Sequence, residues 1–136
     1  MNPYLAVFIA GVVSMAIGML WYSPVMFGRH WMSLSGITPE SMEKCKDGMG
    51  RTYALGFLAG LLKAGAVYYI LKLLLFSSLS KNLEVAFVLW LGFVATTLYS
   101  SVIWEKKPAA LYLINSGYYL VNIFASVLVY YFLRAI

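Results

Sequence analysis

Four long apolar runs, at residues 4–22, 53–76, 83–104 and 109–133, are separated by polar segments of very unequal length. Each run approaches or exceeds the roughly 20 residues that a helix needs to cross about 30 Å of hydrocarbon. None alternates in the manner of a barrel strand, and lipid offers no partner to open backbone groups, so each predicts a helix. The first run lacks a basic leader and is too long for the apolar part of a signal peptide. The expected fold is therefore an all-α membrane protein over residues 1–136: four antiparallel transmembrane helices and a long interfacial first loop.

The ends of the runs carry aromatic residues that suit the headgroup level: Trp21 and Tyr22, Trp104, and Tyr130 with Tyr131. Residues 77–82 read as a tight polar turn, and Glu105-Lys106-Lys107-Pro108 as another, with Pro108 suited to the start of the next helix. The connection at residues 23–52 is far longer. Its first half mixes Val25, Met26, Phe27, Trp31, Met32 and Leu34 with Arg29 and His30, which predicts a segment lying in the interface. Its second half offers a helix start, with Thr38 as N-cap, Pro39 at the first position and Glu40 near the positive dipole end. Gly48 and Gly50 are the expected stop.

Composition strengthens the membrane reading. Hydrophobic residues make up 62% of the 136 residues and charged residues 11%, against about 25% charged in an ordinary soluble domain. That is too little charge to coat a small soluble core, whose surface outweighs its volume. The net charge of +5 lies between apolar runs without forming a dense patch, which argues against nucleic acid as a partner. Its distribution predicts topology instead. Arg29, Lys44, Lys46, Arg51, Lys106 and Lys107 fall on one side, and Lys72, Lys81 and Arg134 on the other. That asymmetry puts residues 23–52 in the cytoplasm and both termini outside, in the plasma (inner) membrane.

Lys63 changes the picture most. It lies about ten residues into the second run, roughly 15 Å deep at 1.5 Å per residue. Insertion scales put a lysine at that depth at a cost of about 2.5–3.5 kcal/mol, and no acid is expected to meet it inside the membrane. It must snorkel, bond to polar groups of other helices, or line a hydrated cavity and meet an anion. Ser14, Thr96 and Asn115 stand at compatible depth. In the fourth run Asn115, Tyr118 or Tyr119, Asn122 and Ser126 recur at helical spacing and share a face. Such a stripe reads first as glue between helices and second as a polar path. Small residues recur at steps of four: Ala10, Ser14 and Gly18; Gly56, Gly60 and Ala64; Gly92, Thr96 and Ser100. They let helices approach closely, within the chain or between chains.

Catalysis finds no constellation. His30 and Cys45 fall short of a zinc site, the single cysteine makes no internal disulfide, and no nucleophile or phosphate-loop motif is present. Neither an enzyme nor a cofactor is expected.

Two strings carry a resemblance. The first is Trp21-Tyr22-Ser23-Pro24, then Phe27-Gly28 and Trp31; the second is Leu113-Ile114-Asn115, then Gly117-Tyr118. Together they resemble the family of small membrane proteins catalogued as domain of unknown function 1761 (DUF1761), over essentially the whole chain. The resemblance implies fold and location, with no defined activity, and marks those residues as the positions to watch. On physical grounds Pro24 stops or kinks the first helix, Ser23 helps satisfy the freed backbone, and Trp21 and Trp31 flank the break as interfacial anchors.

Two functions follow as expectations. One is a small transporter or channel, assembled as a homo-oligomer because four helices hardly enclose a polar path, with Lys63 and Asn115 favouring anions. The other is a non-transporting subunit that binds a protein partner or organises lipid through its cytoplasmic loop. Small multidrug exporters also have four helices but use a carboxylate inside the first. Residues 4–22 contain none, which argues against proton-coupled cation export.

Overall fold

Asn2 starts the first helix. Its side chain accepts the Tyr4 N–H at 2.9 Å, and Pro3 takes the first helical position, where a missing N–H costs nothing. The computed structural model describes residues 1–75 and 78–136. It contains α1 (Pro3–Trp21), α2 (Gly28–Ser35), α3 (Pro39–Lys44), a 3₁₀ turn (Lys46–Gly48) and α4 (Met49–Leu74). Then come α5 (Leu79–Leu89), a π-helical turn (Trp90–Ala95), α6 (Thr96–Leu98), α7 (Ser100–Ile103) and α8 (Ala109–Phe132). No strand is present among the described residues. Four helical stretches are long and apolar enough to cross a membrane: Pro3–Trp21, Lys46–Leu74, Leu79–Ile103 and Ala109–Phe132.

The fourth of these organises the fold. α8 packs against α1, α4 and α5, while α1 packs also against α4. Ala6, Ala10, Ala64 and Ala86 are all buried, and their small side chains let the helices close on Leu71, Ile123, Val127 and Tyr130. The outward faces are apolar as well. Leu62, Leu73, Phe93, Leu113 and Phe132 are strongly exposed, the reverse of a water-facing surface and suited to an apolar solvent.

Several boundaries differ from the sequence expectation. The Thr38 cap forms, but closes as a capping box with Ser41. Gly48 and Gly50 do not stop that helix. α3 already ends at Lys44, and Gly50 lies inside α4, whose first turn begins at Met49. The polar turn expected at residues 77–82 is mostly helix: Ser77 lies outside the described residues, and α5 is under way from Leu79. Glu84, an acid inside the third run at residues 83–104, does not meet Lys63; it pairs with Lys81 at 2.8 Å. Tyr130 is no interfacial anchor. It is fully buried, and its hydroxyl donates to the Ala64 carbonyl at 2.7 Å.

The third stretch is also not a uniform α-helix. Its π turn widens the backbone at Trp90–Ala95 and leaves carbonyls to be satisfied by side chains. Thr96 Oγ1 donates to Gly92 O at 2.7 Å and Tyr112 Oη to Ala95 O at 3.0 Å. Trp90 Nε1 donates to Ser116 O at 2.8 Å, so α8 holds the irregular turn at both ends.

Candidate functional site

The two strings singled out in the sequence meet in space. α1 ends at Trp21, three residues before Pro24, and Leu20 O accepts both Ser23 Oγ at 2.6 Å and the Ser23 N–H at 3.2 Å. The chain then folds tightly back on itself. Phe27 N–H donates to Trp21 O at 3.0 Å, and Gly28 N–H to Ser23 O at 2.9 Å. A Cβ on Gly28 would lie 2.7 Å from the Ser23 backbone, so the turn requires glycine. Trp21 is turned inward by this fold. Its ring lies 4.7 Å from that of Phe27, its Nε1 donates to Ile114 O at 3.0 Å, and its edge covers the Cα face of Gly117.

Tyr22 is the centre of the contact. Its hydroxyl donates to Asn115 Oδ1 at 2.8 Å. Its ring meets those of Trp31 at 5.4 Å and Tyr118 at 5.3 Å, both edge-on. Trp21 thus packs against Phe27 and α8, and Trp31 against Tyr22.

Lys63 reaches the same cluster from α4. Its Nζ lies 5.6 Å from the centroid of the Tyr118 ring and 5.3 Å from that of Tyr119. Two ring faces at that distance attract the ammonium. Among the described residues it makes no ion pair and no hydrogen bond to Asn115, whose Oδ1 is engaged by Tyr22. Asn115 sits one helical turn before the two tyrosines, so Lys63 and Asn115 share a cluster without touching. The chemistry gathered here is one ammonium, three phenols and one amide, mostly donors, on an aromatic wall.

The remaining candidates divide. Ser14 and Asn122 are buried and joined twice: Ser14 Oγ donates to Asn122 Oδ1, and Asn122 Nδ2 to Ser14 O at 3.3 Å. Ser126 Oγ closes the group on Asn122 O at 3.1 Å. Gly60 of α4 comes to this point too, facing Ser14. Thr96 does not join: it is exposed, and its hydroxyl is used within its own helix. Ser116, which sequence reasoning passed over, is buried beneath Trp90. The one signal for it was a serine two residues from Tyr118. His30 and Cys45 are exposed, and among the described residues no group of three or more His, Cys, Asp or Glu could hold a metal.

No curated protein and no solved structure matches the chain. The family described as "Protein of unknown function (DUF1761)" matches over residues 5–131. That span takes in every residue of the Trp21–Trp31 turn, Lys63 and the Asn115–Tyr119 segment, and on this coverage the chain belongs to the DUF1761 family.

Proposed function

We propose that this chain is an integral multi-pass membrane protein and acts as a small homo-oligomeric transporter that favours anions. The carrying observation is Lys63: a cation half-way along a helix long enough to span a membrane, held by two tyrosine rings and paired with no carboxylate among the described residues. In hydrocarbon a bare ammonium costs several kcal/mol. The rings offset only part of that cost, and water or an anion supplies the rest. The basic asymmetry of the loops supports residues 23–52 in the cytoplasm and both termini outside, in the plasma (inner) membrane. A polar path needs more wall than four helices provide, which supports assembly of several copies.

The test is flux. Purified protein in liposomes is expected to release a panel of small anions faster than empty vesicles, and Lys63→Met is expected to abolish that release while the helices stay folded. Absence of flux above empty vesicles for every anion tried sinks the reading. Mass measurement in lipid nanodiscs tests the assembly, where a monomer counts against it.

One observation favours a non-transporting subunit that binds a protein partner or organises lipid through residues 23–52. Ser14, Asn122 and Ser126 are bonded to one another across buried helix faces and Thr96 stands apart, which supports these residues as glue between helices. Binding of an anion at Lys63 without flux supports this second reading.

A further inference from the structure

The last turns of α4 and the length of α5 leave an open groove of about 320 Å³, which Lys63 does not line. Ile70 and Leu74 form one wall and Val85 and Leu89 the other, all apolar. At the rim stand two opposite charges, Lys81 and Glu84, 2.8 Å apart. From Lys81 to Leu89 the helix rises about 12 Å, so the groove runs from a charged mouth into a purely apolar floor. That gradient matches one phospholipid molecule, with its headgroup at the mouth and an acyl chain along the floor. A pair this exposed adds little to stability by itself, which leaves both side chains able to turn to a ligand.

The charges specify which headgroup. We propose that this groove binds a zwitterionic phospholipid carrying a primary ammonium, with its phosphate against Lys81 Nζ and its ammonium donating to the Glu84 carboxylate. A choline headgroup carries the same charges but has no N–H to give the carboxylate. A glycerol headgroup satisfies Lys81 and leaves the lipid's net negative charge facing Glu84. The expected order is ethanolamine over choline over glycerol. This inference rests on the membrane reading above, but on none of the residues around Lys63.

The experiment reconstitutes the full chain into vesicles of equal parts phosphatidylethanolamine, phosphatidylcholine and phosphatidylglycerol. Flotation first checks that the protein inserts; then it is extracted in mild detergent and its retained lipids are counted by native mass spectrometry. Several-fold enrichment of phosphatidylethanolamine over phosphatidylcholine is expected. The double variant Lys81→Gln/Glu84→Gln is expected to bring that ratio to parity. The corresponding change of the exposed Glu105–Lys107 pair, Glu105→Gln/Lys107→Gln, is expected to leave it unchanged. Equal retention of the two lipids by the native chain, or enrichment that survives the Lys81/Glu84 change, overturns the site while leaving membrane insertion intact. Failure to float with vesicles overturns the membrane reading and this site with it.

Discussion

The Tyr22 hydroxyl donates to Asn115 Oδ1 at 2.8 Å and joins the end of α1 to the second turn of α8. The two partners stand 93 positions apart in the chain, so the bond ties the rotation of α8 to that of α1. That rotation in turn presents Tyr118 and Tyr119 to Lys63. Tyr22→Phe keeps the ring contacts with Trp31 and Tyr118 and removes only the donor. Stability is expected to fall by about 0.5–1.5 kcal/mol, the range of a single net hydrogen bond, as read by unfolding in mixed micelles. A change near zero would mean that the phenol ring alone positions α8.

The glycine at the turn after α1 gives a sharper test. Gly28→Ala places a methyl against the Ser23 backbone, which cannot yield as a side chain can. An overpacking loss of about 1–3 kcal/mol is expected. Gly50→Ala is the control: it lies in the first turn of α4 with open space around it. There the methyl is expected to stabilise by up to about 0.5–1 kcal/mol, the usual cost of glycine in a helix. Equal effects at the two positions would refute the packing account of Gly28.

Buried Asn122 is expected to outweigh Tyr22. Asn122→Ala leaves the Ser14 hydroxyl without its acceptor in a closed site, and an unsatisfied buried group costs about 1–3 kcal/mol. Ser14→Ala with Asn122→Ala is expected to cost clearly less than the two single losses summed, because the orphaned partner is gone. Additivity in this cycle would show that the two side chains do not depend on each other.

These particular residues also mark how far the sequence could be read. Run lengths anticipate four helices long and apolar enough to cross a membrane, because the thickness of a bilayer sets the length such a helix needs. The Thr38 cap and the Pro24 stop were legible because they are local chemistry. Helix rotation was not. When every face of a helix is apolar, periodicity does not say which side meets a neighbour, so depth alone groups Thr96 with Ser14 and Asn115 although it turns outward. For the same reason position near a run's end suggests an anchor at Tyr130, which is core. The π turn at Trp90–Ala95 escaped entirely, since it is held by Trp90, Tyr112 and Thr96, none of which announces itself in the local pattern. The convergence of Lys63 with the Trp21–Trp31 and Asn115–Tyr118 strings was equally hidden, because it depends on where α8 packs.

Topology is open to direct labelling. Cys45 is the single cysteine and is exposed just after α3. With residues 23–52 in the cytoplasm, an impermeant thiol reagent is expected to leave it unlabelled in intact cells and to label it after permeabilisation. Strong labelling of intact cells reverses the orientation, and with it the leaflet in which the Lys81–Glu84 groove opens.

Lys63 itself is expected to cost the fold stability and to be kept for what it binds. A lysine at the centre of a membrane helix costs about 2.5–3.5 kcal/mol on insertion scales. Contact with the Tyr118 and Tyr119 rings returns about 0.5–2 kcal/mol, so the charge is not repaid in full by the residues around it. Lys63→Met keeps the approximate length, removes the charge and leaves the rings an apolar partner. The variant is expected to unfold later than the native chain, by about 0.5–3 kcal/mol from the difference of those two ranges, and to lose anion binding and flux. Lys63→Arg keeps the charge and a planar donor that also rests on aromatic faces, and it is expected to retain at least part of the activity. A Met variant less stable than the native chain would mean that the ammonium is held by more than the two rings. Stability gained with activity intact would make Lys63 a mere passenger, and the anion reading would fall with it.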